Sequence, residues 1–261
     1  MDPYVIILIS AAAVGWAVFA RRLLRAALSV PERFPAVHWR WPEALFAACV
    51  VLFFLSTGAS AFGKEPQQVT LDTLEMSAAL YAAVSLFLIG FLVMRNVNLI
   101  DAFGLGGDRA KSMIKPVFFA ILVAIPPIYG VQGWVYSSFA DANAPQPIVT
   151  FLLEHRGLRE RVAVVLIALI AAPVTEELVF RGCLYGMLRE FCGRGIAIVV
   201  SALVFALIHG HAASLPGLLI LAVALAFLYE ATGTLWAPLA MHTAFNGLSL
   251  LGTLCWPEVV Q

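Results

Sequence analysis

Apolar stretches of bilayer-crossing length recur along almost the whole chain, and this restricts the folds open to it. A helix needs about 20 mostly apolar residues to cross a bilayer. Such stretches fall at approximately 4–24, 43–63, 76–95, 115–138, 162–188, 195–212, 215–230 and 235–255. The expected fold is therefore all-α, a polytopic transmembrane helix bundle of about eight spans. The sixth and seventh stretches are short and are joined by the tight turn Ser214-Leu215-Pro216-Gly217, so they are expected to tilt or to span incompletely. Pro126-Pro127 should kink the fourth span, and Pro173 the fifth.

Composition agrees. The 261 residues are 62% hydrophobic and only 12% charged, against about a quarter charged in a soluble domain. Too few polar side chains remain to cover a water-facing surface, so lipid is the expected solvent and partner. With 16 basic and 16 acidic residues the net charge is zero, and nucleic acid is not an expected partner. Cys49, Cys183, Cys192 and Cys255 are scattered, without ligand spacing, and read as packing residues. Met1-Asp2-Pro3 lacks positive charge, while Arg21, Arg22 and Arg25 follow the apolar run. That order suits a retained first span with its N-terminus outside better than a cleaved signal. The odd-numbered loops are the basic ones, which puts them on the cytoplasmic side. Ile148–Arg161 alternates apolar and charged residues, as an interfacial helix would. The Ala- and Arg-rich composition suggests a bacterial inner membrane. No internal repeat stands out, and one membrane domain over 1–261 is the simplest organisation.

Ionisable groups inside a span cost about 2.5–3.5 kcal/mol each on insertion scales, so they need a reason. The fifth span holds Glu176, Glu177 and Arg181 within six residues. Glu177 and Arg181 are spaced i,i+4 with the acid first, the favourable order for an ion pair. Glu176 lies about 100° further around the helix, which leaves it the freer carboxylate and a candidate general base. Phe205 and His209 end the sixth span one helical turn apart. His242 and Asn246 share a face of the last span, and an Asn amide there could fix an imidazole or hold an oxyanion. Taken singly, each set has a structural explanation: an ion-pair clamp, an interfacial histidine, interhelical glue. Their occurrence on three spans of a chain so poor in charge points to one intramembrane site. Glu230 and His211 read as interfacial or loop residues, and Glu154, His155 and Arg156 as a solvated surface.

These residues resemble a known family. Glu-Glu-x-x-x-Arg at Glu176-Glu177…Arg181, Phe-x-x-x-His at Phe205…His209 and His-x-x-x-Asn at His242…Asn246 are similar to the motifs of the CPBP (Abi) intramembrane proteases. That group includes the type II CAAX prenyl endopeptidases. The resemblance covers about residues 115–256 and leaves 1–110 as additional N-terminal spans. It implies an endopeptidase acting on a membrane-associated peptide or protein. Glu176 with His209 would activate a water, and His242 with Asn246 would stabilise the oxyanion. Glu177, Arg181 and Phe205 would support them. The resemblance leaves the cofactor open: none, or a single divalent metal such as zinc held by Glu176, His209 and His242. A non-catalytic membrane module of the same fold, such as an immunity or scaffold protein, would be expected to carry a broken motif, and here every motif position is intact. A proton-coupled transporter would be expected to show paired repeats. The sequence is silent on oligomeric state.

Overall fold

The computed structural model describes residues 39–61, 68–138 and 146–256, together with Val18 and Arg21. The expected first span, 4–24, and the retained N-terminus otherwise lie outside the described residues. Among the described residues every regular element is a helix. In chain order these are α1 (Trp41–Ala61), α2 (Leu71–Met94), the short α3 (Leu99–Phe103) and α4 (Gly107–Ser112), α5 (Ile114–Ser138) and α6 (Pro147–Glu154). Then follow α7 (Leu158–Cys192), α8 (Arg194–Leu207), α9 (Leu215–Thr232) and α10 (Trp236–Cys255).

Among the described residues five helical segments are long and apolar enough to cross a membrane: α1, α2, α5, α7 and α9 with the turn that precedes it. The chain is thus an all-helical, multi-pass integral membrane protein. Large apolar side chains such as Leu52, Leu86, Phe87, Phe118 and Leu251 stand exposed, as lipid-facing residues should. α10 matches the eighth expected stretch in position, but His242, Thr243 and Asn246 dilute its apolar character. α8 has 14 residues, about 21 Å of helix against a hydrocarbon core of about 30 Å. It stops at Leu207, short of the expected 212, because Gly210 turns the chain with a left-handed φ of 63°.

The turn after α8 is packed among helices, and side chains satisfy its polar groups. Gln132 of α5 donates to the Ala213 carbonyl at 3.1 Å, and Gln146 donates to Ser214 Oγ at 2.8 Å. His211 Nδ1 meets the same Ser214 hydroxyl at 2.8 Å. Irregular backbone at membrane depth is tolerated only with such partners.

The segment expected to form one interfacial helix, Ile148–Arg161, is divided. α6 ends at Glu154 and buries Phe151 and Leu152, His155 is extended, and Gly157 starts α7. Pro126 and Pro127 lie inside α5, which runs on through both. Glu230, expected at an interface, ties the end of α9 to α7 by accepting from Tyr185 at 2.6 Å and pairing with Arg189 at 3.0 Å.

In lipid there is little hydrophobic drive between helices, so close packing and polar contacts hold them together. α1, α2 and α3 share one core with α7, α8 and α9: Val51, Phe54, Leu88, Leu92 and Phe103 pack with Phe180, Phe205 and Tyr229. Glycines allow the closest approaches. Gly182 lies under the Phe103 ring, Gly186 under Trp39, and Gly58 of α1 rests on the backbone of Ile208. A methyl group at Gly58 would collide with the Ile208 carbonyl, next to His209. Gly58→Ala is expected to destabilise the protein by about 1–3 kcal/mol through overpacking, measured as the melting temperature of the detergent-solubilised protein. An unchanged melting temperature would show that α1 does not dock there.

Candidate active site

The site is built around an irregular stretch of α7. Ile167–Ala171 and Glu177–Tyr185 form wide turns whose backbone bonds run from i to i+5, and a regular turn, Ala172–Glu176, lies between them. Such bulges gather at functional positions. The cause of the first is legible: Pro173 has no N–H to donate back into the helix.

Glu177 is fully buried and Arg181 is 1% exposed. Arg181 Nη1 donates to Glu177 Oε1 at 2.9 Å, the ion pair expected from the spacing. The guanidinium also donates to the Ala222 carbonyl at 3.3 Å and lies 4.3 Å from the centre of the Phe205 ring. Arg181 therefore links α7, α8 and α9, and Phe205 supports it from below. The same Glu177 Oε1 accepts from His242 Nδ1 at 2.8 Å. His209 Nδ1 is held in turn by the Phe205 carbonyl at 2.8 Å. Both imidazoles are thereby oriented through Nδ1, and in the neutral ring Nε2 carries the lone pair.

Both Nε2 atoms face Glu176. His242 Nε2 is 3.7 Å and His209 Nε2 3.9 Å from Glu176 Oε2. These distances exceed a direct hydrogen bond. Oε2 is buried and has no partner among protein groups. A carboxylate oxygen and two imidazole nitrogens thus converge on one point, an arrangement able to take a proton from a small polar reactant and return it.

The donor types would suit a divalent cation, with Glu177 behind His242 as an outer carboxylate. The spacing does not. A tetrahedral zinc holds its donors about 3.3 Å apart, and among the described residues no three such groups stand where they could hold an ion.

The structure thus brings together Glu176, Glu177, Arg181, Phe205, His209 and His242. Asn246, one turn along α10 from His242, donates from its amide nitrogen to the Ala168 carbonyl at 2.8 Å. His211 belongs to the turn beyond α8.

Sequence reasoning missed the contribution of the N-terminal helices. A cavity of about 320 Å³ opens at the site. Phe53, Phe54 and Thr57 of α1 and Ser77, Leu80 and Tyr81 of α2 wall it, with Glu176 and His209 reaching into it. Thr175 anchors this wall, its hydroxyl lying 3.1 Å from the Tyr81 carbonyl and 2.8 Å from Ser85 Oγ. Also missed was Thr243, whose hydroxyl donates to the Leu169 carbonyl at 3.0 Å.

Fold and site together define a multi-pass helical membrane protein with a buried glutamate–histidine centre. Residues 158–248, from the start of α7 into α10, match the family model described as type II CAAX prenyl endopeptidase Rce1-like. This stretch, about a third of the chain, bears out the resemblance to the CPBP proteases. A similar curated protein is "Putative membrane peptidase YdiL" of Bacillus subtilis (strain 168), 28% identical over 82 residues. That alignment spans 31% of this chain and 34% of the relative. No solved structure matches.

Proposed function

We propose that the protein is an intramembrane endopeptidase that hydrolyses a peptide bond of a membrane-associated protein or peptide. The observation that carries this reading is the unpartnered, buried Oε2 of Glu176, faced by His242 and His209 at 3.7 and 3.9 Å. The Rce1-like match over residues 158–248 supports the same reading.

In the proposed reaction Glu176, assisted by His209, takes a proton from a water. The water oxygen bonds to the scissile carbonyl carbon, and the C=O electron pair moves onto the carbonyl oxygen. His242 serves that oxyanion. With a proton on Nε2 it is a donor, and Glu177 on Nδ1 supports the resulting charge. The intermediate then collapses, the C–N bond breaks, and the proton held by Glu176 passes to the leaving nitrogen. The products are one carboxylic acid, which then gives up its proton to water, and one amine. No step is routed through a metal. Asn246 gives one of its two amide hydrogens to the Ala168 carbonyl. The substrate segment lies in the cavity walled by α1 and α2. The expected setting is a bacterial inner membrane, with a peptide tail or a sorting signal as substrate.

The test compares protein termini in membranes from cells carrying the unaltered protein, Glu176→Ala or His209→Ala. A defined set of new termini should appear with the unaltered protein alone. Identical termini in all three would overturn the assignment. Exhaustive chelation of the purified protein should leave cleavage intact. Loss of cleavage that zinc restores would replace the metal-free mechanism.

A further inference from the structure

We infer that Thr243 and Asn246 are positioning residues: they brace the break that Pro173 makes in α7 and so hold Glu176 at its distance from the two imidazoles. This rests on the reading of Glu176 as the catalytic base.

The argument begins with the missing N–H of Pro173. In a regular helix residue 173 would donate to the carbonyl of Leu169, four positions back. In a wide turn it would donate to Ala168, five positions back. Ala172, the other natural donor for Ala168, is committed to Ile167. The missing N–H and the shift of Ala172 to Ile167 together leave Ala168 without either helical donor and Leu169 without its donor four positions on. Those same two carbonyls are reached from α10: Thr243 Oγ1 donates to Leu169 at 3.0 Å and Asn246 Nδ2 to Ala168 at 2.8 Å. At membrane depth a carbonyl without a donor is costly, and these two side chains supply donors at the break.

The brace has a mechanical consequence. Thr243 is adjacent to His242, and Pro173 lies three residues before Glu176. The bonds from Thr243 and Asn246 lock α10 to α7 on one side of the break, and His242 with Glu177 locks them on the other at 2.8 Å. Glu176 sits between the two locks. Its rotation about the α7 axis, and hence the 3.7 Å separation from His242, is set by both. Releasing one leaves Glu176 free to turn with the wide turn beside it.

A double-mutant cycle tests this. Thr243→Val keeps the side-chain volume and removes the donor. It should lower the melting temperature and reduce kcat about ten- to a hundredfold, the scale expected for a small misplacement of a reacting group, with KM unchanged. Thr243→Ser should restore both. Pro173→Ala supplies the missing N–H, so in that background Thr243→Val should have little further effect on the melting temperature. Equal thermal losses with and without Pro173 would overturn the brace. Coupled thermal losses with kcat unchanged in Thr243→Val would overturn the positioning role. If the unaltered protein cleaves nothing, the proteolytic reading fails, and the thermal cycle still decides the brace.

Discussion

Glu176→Gln is expected to abolish cleavage, by about a hundred- to ten-thousandfold, the range of a lost general base, while leaving the protein as stable as before. Oε2 of Glu176 has no protein partner, so the neutral amide forfeits no hydrogen bond there and relieves a buried carboxylate. Turnover in proteoliposomes and the melting temperature, measured on one preparation, check both halves. The neighbouring substitution is expected to differ. Glu177 Oε1 accepts from both Arg181 and His242, so Glu177→Gln should lower stability as well as rate. If Glu176→Gln and Glu177→Gln behave alike, the division of labour between the two acids is wrong.

Arg181→Met is expected to be the most damaging single change to stability. Removing one partner of a buried ion pair costs about 3–5 kcal/mol, because the remaining charge is stranded. Here the stranded group is Glu177, fully buried, and the Ala222 carbonyl and the Phe205 face lose their cation as well. The double change Glu177→Gln with Arg181→Met should recover much of the loss, since a buried pair replaced on both sides is often tolerated. Unfolding of the micellar protein by denaturant measures both. A single-mutant loss below about 1 kcal/mol would mean that water reaches the pair.

Much of this site was legible in the sequence because its parts are expensive. Glu176, Glu177, Arg181, His209 and His242 stand out in apolar spans, and the i,i+4 spacing of Glu177 and Arg181 gives their pairing directly. Three things were not legible. Asn246 looked like a partner for His242 because the two share a face. One of its amide hydrogens goes to a carbonyl on another helix, 78 positions away, which nothing in the spacing announces. Thr243 is too ordinary in a membrane helix to attract notice, and its place follows only once Pro173 is seen to lack a donor. The role of α1 and α2 was hidden because their contribution to the cavity is shape. Phe53, Leu80 and Thr57 look like any lipid-facing or packing residues, and Gly58 becomes informative only when Ile208 is found against it. Seven of the eight stretches were found by length and hydropathy, the first lying outside the described residues. The early end of α8 was not, because a glycine φ and a buried turn decide it.

The shortness of α8 has a consequence for the lipid. Beside α7, whose 35 residues run well past the hydrocarbon layer, a helix of 14 residues that ends just before His209 creates a local hydrophobic mismatch. Acyl chains bordering α8 are expected to thin to meet it, which would bring the water boundary toward the histidine. Water would then reach the glutamate–histidine centre without any helix having to part. The thickness of the surrounding membrane becomes a variable of the chemistry, set by the lipid as much as by the protein.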